Sequence, residues 1–370
     1  YYKNDIMVLA IYILTLSTMN CLKQELGQFY TTNYKYILHG FNIPDDTTHL
    51  IEPFAGEGHL TSYIVQGKQP IENVLEYDID PKNSAIIGRD TLLDPPDYSG
   101  YYIITNPPYL ARNKCTVKAV FNKYAENDLY KCFLRILITN QCVGGIIIIP
   151  LNFFSSIRKI DIELRRDFMN VYTIEKMRIF EEQVFDDTSY TVCVVQFNNQ
   201  NNGTSVDAIQ NIPIEFYPKK ITKMMDLCPE NLYTFGGHIH CLTENNSIKI
   251  ERLTRNNMHK KNSNLQLKCI DDSNESRIGI YYVENDDDLF IDETENLSAR
   301  AYATLIIEPA LNIDEQKALV VQFNDFINHN REKYNSLFLT NYRESKNGFA
   351  RKRISMSHTY NIIKYLMITE

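Results

Sequence analysis

From about Asp46 to Phe197 the sequence keeps setting a short apolar run against a stretch of helical periodicity, and this alternation limits the possible folds more than any other feature. The runs fall at 49–51, 73–75, 84–87, 101–104, 146–149, 172–179 and 190–197. Several lack a polar face altogether, as strands covered on both sides of a parallel sheet do. Between them, 58–65, 125–140 and 157–169 carry apolar residues three and four apart, the pattern of covering helices. The expectation is an α/β doubly wound sheet.

The chain has 370 residues, which points to two or three domains. The polar stretch Asn198-Asn-Gln-Asn-Asn-Gly203 is a natural boundary. Beyond it the strands read as short and irregular until 313–330. There Ala318, Leu319, Val321, Phe323, Phe326 and Ile327 suit an amphipathic helix opened by Asp314 and Glu315, and a last helix is expected over 357–367. The expected organisation is an N-terminal helical segment over 1–45, an α/β domain over 46–200 and a mixed α+β domain over 201–370.

With 44% hydrophobic and 23% charged residues, and only 14 Gly and 13 Pro, the chain is neither fibrous nor wholly disordered. Its eight cysteines form no CxxC pair, so neither a zinc module nor a disulfide scaffold is indicated, and a reduced, cytoplasmic protein is the simplest reading. The apolar segment 6–16 is too short to span a bilayer and lacks a cleavage site after it, so a packed helix is expected and no membrane or secretion signal. The chain opens on Tyr1 rather than Met, which leaves its true start open.

Four short motifs carry the chemistry. Ile51-Glu52-Pro53-Phe54-Ala55-Gly56-Glu57-Gly58 follows a predicted strand and opens a helix, so that backbone can approach a ligand closely. No GK[ST] follows, which excludes a P-loop. Glu76-Tyr77-Asp78-Ile79-Asp80-Pro81 then closes the second strand with an acid placed like the ribose clamp of nucleotide-binding folds. Gly88-Arg89-Asp90-Thr91 ends the third strand. The fourth ends in Asn106-Pro107-Pro108-Tyr109. Consecutive prolines donate no hydrogen bond and hold their carbonyls in fixed directions, so the Asn106 amide oxygen and the Pro107 carbonyl offer acceptors to a ligand amino group beside the flat wall of Tyr109.

In these motifs the sequence resembles the N6-adenine-specific DNA methyltransferases, in the gamma-type arrangement of restriction–modification systems. The upstream motif is matched by Gly27-Gln28-Phe29-Tyr30-Thr31-Thr32, with Thr32 where the family has proline. The segment 184–197 resembles the family's late hairpin. The resemblance implies a Rossmann-like class I methyltransferase sheet followed by a C-terminal target-recognition domain, with S-adenosyl-L-methionine as cofactor and no metal. It implies that Tyr30 and Thr31 face the methionine end of the cofactor, and that Glu52, Pro53, Ala55, Gly56 and Gly58 hold its amino group and sugar. Asp78 would bind the ribose, Ile79 would pack on the adenine ring, and Asp90 with Thr91 would meet the purine edge. Asn106, Pro107, Pro108 and Tyr109 would be catalytic, with Tyr109 and Phe185 against a flipped target base. The implied partner is double-stranded DNA, with a restriction endonuclease acting on the same site as a companion, no membrane and a monomeric enzyme. Protein glutamine-N5, RNA adenine-N6 and cytosine-N4 methylation stay open as rivals, as does a catalytically idle DNA-specificity module.

The net charge of −8 gives no support to a uniformly basic nucleic-acid coat protein. After Phe197, however, ten acids fall within 271–295 against Arg277 alone, and everything else nets +6. Two basic clusters are the DNA-contact candidates: Arg252, Arg255, Lys260 and Lys261, and Arg343, Arg351, Lys352 and Arg353. The acidic stretch reads as a solvated loop. His238 and His240 would share a face if their segment is a strand.

Overall fold

The structure, a computed structural model, describes residues 31–66, 71–185, 190–200, 210–271, 273, 277–292, 301–344 and 350–368. The expected helix over 6–16 and Tyr30 lie outside the described residues. The chain separates into two compact units. One holds the described residues up to Pro150 together with Lys159–Met224; the other holds Leu151–Arg158 and the described residues from Met225 onward.

The first unit is built on one sheet of nine strands: β1 (His49–Glu52), β2 (Asn73–Asp78), β3 (Ile87–Gly88), β4 (Tyr102–Thr105), β5 (Gly144–Pro150), β6 (Tyr172–Phe180), β7 (Val192–Asn199), β8 (Gln210–Tyr217) and β9 (Ile221–Leu227). Their order is β3-β2-β1-β4-β5-β7-β6-β8-β9. Strands β1 to β5 pair in parallel, and β7 enters antiparallel between β5 and β6. This is the doubly wound α/β sheet that the alternation predicts, with an antiparallel strand inserted beside β5. The alternating apolar runs produce it because β4 and β5 are buried along their whole length, which only a sheet covered on both faces permits. At Gly145 an added Cβ would stand 2.8 Å from the Ile103 carbonyl and 2.9 Å from the Phe197 ring, so the absent side chain lets β5 sit between its neighbours.

Two expectations shift. Of the run 84–87, only Ile87 enters a strand, and β3 pairs Ile87 with Tyr77 and Gly88 with Asp78 on the edge of the sheet. The polar stretch at 198–203 precedes β8 and β9, which extend the same sheet, and the two units divide within β9 after Met224.

The second unit holds an antiparallel sheet of β10 (Lys249–Arg252), β11 (Leu265–Lys268), β12 (Gly279–Tyr282) and β13 (Tyr302–Glu308), in the order β10-β13-β11-β12. The helix Ile313–Tyr334 packs on it through Leu319, Phe323 and Ile327, each burial contributing about 1.5–3 kcal/mol. Asn312 and Glu315 form a reciprocal capping box at its start. A two-stranded ribbon, β14 (Thr340–Glu344) with β15 (Ala350–Arg353), and the helix Met356–Leu366 complete the α+β unit. Among the described residues no helix is long and apolar enough to cross a membrane.

Candidate active site

In this strand order the chain turns in opposite directions from β1 and β4, and a crevice opens at their carboxyl ends. Glu52 ends β1, Asp78 ends β2, and Asn106 follows β4, so the sheet gathers three motifs from distant parts of the sequence at one edge.

The glycine turn works through its backbone. Gly56 (φ 56°) and Gly58 (φ 78°) both occupy the left-handed region, and Gly58 begins the helix His59–Ile64. The Gly56 N–H donates to Asp78 Oδ2 (2.8 Å), and the Asp80 N–H donates to Asp78 Oδ1 (2.8 Å). A carboxylate has about four acceptor positions, so Asp78 keeps lone pairs for a diol after fixing the turn. Thr91 Oγ1 donates to the Pro53 carbonyl (2.9 Å), and Asp90 Oδ1 accepts from the N–H groups of Leu92 and Leu93 (both 3.1 Å).

Between these groups lies a cavity of about 210 Å³. Gly56, Asp78, Ile79, Asp90, Thr91 and Asn106 reach its wall, and so does Pro108. Ile79, 49% exposed, stands there as a free apolar surface. Val117, Val120, Phe121 and Leu129 also line the cavity, none of which the sequence motifs had marked. The N–H of Thr61 in the first turn of the helix is taken by Glu52 Oε2 (3.2 Å).

A small recess shares Phe54, Gly56 and Asn106 with the cavity and adds Thr31, Glu52 and His59. Glu52 is fully buried. Its Oε2 accepts from the Thr61 hydroxyl and N–H, while its Oε1 has no partner among the described residues. Burial pushes its carboxyl well above the usual range; Thr61 opposes this, and the nearby Glu76 and Asp78 add to it. An orphaned acidic oxygen in a closed recess fits a cationic amino group, and the diol-ready Asp78 and apolar walls alongside fit a nucleoside. The residues therefore suit S-adenosylmethionine.

Asn106 stands where cavity and recess meet. Its Nδ2 donates to Thr31 Oγ1 (3.1 Å), which brings Thr31 to the Asn-Pro-Pro-Tyr segment. Its Oδ1 accepts from the Tyr109 hydroxyl, which also reaches the Ile148 carbonyl (2.7 Å). The phenol is neutral, because burial pushes its pKa well above 10. One proton thus serves two acceptors, and Tyr109 can release the Asn106 oxygen to another donor by turning to Ile148. The Tyr109 ring is only 2% exposed and meets Tyr130 and Tyr190 edge to face at 6.0 and 6.3 Å. To stack on a base, it would have to open from this cage; Tyr190 is the half-buried member. Pro107 is buried, and Phe185 is 2% exposed and packed as a core residue.

In the second unit the acidic stretch is not a free solvated loop. Asp292 pairs with Arg252 (2.9 Å), Asp286 with Lys261 (2.6 Å), Glu284 with Lys317 (3.1 Å) and Asp271 with Arg331 (2.7 Å). Lys260 meets Glu251 at 3.4 Å. The first basic cluster is therefore largely neutralised within the chain, and Arg255 is exposed beside it. On β15, by contrast, Arg351 and Arg353 are half-exposed with no ion pair to a described residue, and Lys352 lies between them. Arg343 is their neighbour on β14, opposite Arg351. The segment with the two histidines is a 3-10 turn, Gly237–Cys241, and not a strand. His238 accordingly meets the Tyr334 hydroxyl (3.1 Å) while His240 stacks on His358 (4.1 Å), so they share no face.

No family model matches the chain, and no curated protein matches it. Solved structures with a similar course of the chain include a modification subunit assigned to a type I restriction enzyme of Vibrio vulnificus (12% identity, 60% of this chain and 54% of that one, TM-score 0.40). Another is a type I restriction–modification methyltransferase subunit from Streptococcus thermophilus (14%, 52% and 48%, 0.37). A third is DrdV in its complex with DNA (14%, 67% and 35%, 0.43). The chain spans about half the length of the first of these, or less. Likeness of this order leaves function to be argued from the site.

Proposed function

We propose that the chain transfers a methyl group from S-adenosylmethionine to the N6 amino group of adenine in a specific double-stranded DNA sequence, as the modification half of a restriction–modification system. The observation that carries this reading is Asn106. Its carboxamide stands at the junction between a nucleoside-sized cavity and the recess of Glu52, beside a tyrosine that can free its oxygen.

When bound, the cofactor supplies a methyl group on a sulfonium, a good leaving group. The chain's own task is then to orient a weak nucleophile. Adenine N6 delocalises its lone pair into the ring; hydrogen bonds from its two N–H groups to Asn106 Oδ1 and the Pro107 carbonyl favour a pyramidal nitrogen with that pair aimed at the methyl. The base must leave the duplex to get there. Incubation with tritiated cofactor and, in turn, duplex DNA, RNA and a glutamine-bearing protein tests the reading. Label in DNA that digests to N6-methyladenosine is the expected result; label only in RNA or protein would replace it.

Two further results are expected. Glu52 holds its proton more tightly than an ordinary glutamate, whereas a cationic amino group beside it favours the carboxylate. At pH values below the raised pKa of Glu52, cofactor binding should therefore release protons, with affinity rising as pH rises over that range. Calorimetry in buffers of different ionisation enthalpy reads this directly, and Glu52→Gln should abolish the release.

The DNA contacts are assigned to the β14–β15 ribbon, since a two-stranded ribbon fits the major groove and Arg351 and Arg353 on it make no ion pair to a described residue. Replacing Arg351 and Arg353 by Ala should weaken duplex binding and flatten its salt dependence by about 0.9 per lost phosphate contact. Lys260→Ala with Lys261→Ala should do much less. Equal losses from the two pairs would refute the assignment.

A further inference from the structure

Pro107 and Pro108 contribute no N–H, so the catalytic loop has few backbone groups by which to hold the rest of the domain. Its grip depends on the side chains of Asn106 and Tyr109 and on the residues just after them. There the chain is tied down closely. The Leu110 N–H donates to Asp128 Oδ1 (3.1 Å), the Leu110 carbonyl accepts from the Leu129 N–H (3.2 Å), and the Arg112 N–H donates to the Asn127 carbonyl (2.9 Å). Ala111 and Asp128 form an antiparallel bridge. Asp128 is also the residue from which the helix Leu129–Thr139 starts, and its extended backbone (φ −148°, ψ 148°) makes the corner. The next two residues face the site: Leu129 lines the cofactor cavity along with Pro108, and Tyr130 meets the Tyr109 ring.

The geometry points to Asp128 as a positioning residue for the methyl transfer. Its carboxylate fixes Leu110, and through Leu110 the exit of the Asn-Pro-Pro-Tyr loop, so that the Asn106 and Pro107 oxygens keep their aim. This inference rests on the methyltransferase reading for its kinetic consequence, while the latch itself does not.

The corner is an unusual place for an acid. Burial pushes the Asp128 carboxyl up to about 6, opposed by Lys131 and by backbone hydrogen bonds. The other groups that face it are Tyr109, Tyr130, Tyr190 and Cys132, all neutral at that pH because burial raises each of them. Folded protein therefore holds this proton more tightly than unfolded chain, and stability falls as pH rises from about 4 to about 6. Asparagine keeps the acceptor for Leu110 without that charge. Asp128→Asn should thus raise the unfolding midpoint near pH 8 and leave it nearly unchanged near pH 4.

The test uses the whole chain and two variants. Asp128→Ala should lower kcat by about 100-fold, the scale of a misplaced reacting group, with the cofactor dissociation constant within about threefold of the parent. Asp128→Asn should restore kcat to within about threefold. Hydrogen–deuterium exchange of the peptide spanning 106–112 should be faster in Asp128→Ala and unchanged in Asp128→Asn. Unchanged exchange in Asp128→Ala overturns the latch, as does an unchanged kcat. Faster exchange in Asp128→Ala than in a parent that methylates no DNA upholds the latch and overturns the proposed function instead.

Discussion

Asn106→Ala is expected to cut methyl transfer by about 1,000-fold, close to 4 kcal/mol of lost stabilisation, the upper range for deleting one preorganised hydrogen-bonding group at a reacting centre. The size follows from geometry. The Asn106 oxygen is one of two acceptors for the nucleophile's hydrogens, and in its absence Tyr109 offers a donor, which is the wrong polarity for an amino group. The same substitution removes the Asn106 bond to Thr31 (3.1 Å) but leaves Asp78, Glu52 and the apolar wall intact, so cofactor binding by calorimetry should survive with a modest change. A variant that still turned over at a tenth of the parent rate, or one that lost cofactor binding altogether, would contradict this mechanism.

The parts of the site legible in the sequence are those that depend on contiguous residues. Gly56 and Gly58 must be glycines because the turn runs through positive φ, and Asn106 to Tyr109 owe their shape to the two prolines between them. Asp78 could be placed because a strand end is read from the apolar run before it. The rest of the cavity lining escaped for the opposite reason. Val117, Val120 and Phe121 lie on a loop and on the helix Ala119–Tyr124, six residues long and too short to show a period, and they join Ile79 in lining the cavity only through the fold. Asp128 likewise looks like any helix-capping acid until Leu110 is seen bonded to it. The extent of the sheet escaped because β8 and β9 follow a polar stretch that reads as a boundary, yet β8 pairs in parallel with β6 across it. Charge was misleading in another way. Asp286 and Asp292, an apparent solvated run, pair with Lys261 and Arg252, and no one-dimensional count distinguishes a neutralised cation from a free one.

Arg331→Ala should destabilise the second unit by about 3–5 kcal/mol, the cost of leaving a buried charge without its partner. Arg331, on the last turn of the helix Ile313–Tyr334, donates from Nη1 to Asp271 Oδ2 (2.8 Å) and from Nη2 to Asp271 Oδ1 (2.7 Å), and both side chains are buried. Asp271 Oδ1 also accepts from the Ile278 N–H (2.7 Å), and its own N–H donates to the Lys352 carbonyl (3.0 Å). Asp271 thus joins the helix and the approach to β12 through its carboxylate, and the ribbon that carries the proposed DNA contacts through its backbone N–H. The Arg331 Nε has no partner among the described residues, so the pair is not fully satisfied and its net contribution is smaller than the cost of breaking it. That difference gives the check. The double variant Asp271→Asn with Arg331→Met leaves no buried charge and should recover much of the stability lost in Arg331→Ala, as read from the denaturant midpoint of the transition in which amides of 313–334 lose protection. Losses that simply add would show the two groups to be independent. Duplex binding, measured where both variants are folded, should fall with the single substitution and return with the double one, because the ribbon is bonded to the backbone of the residue that Arg331 holds.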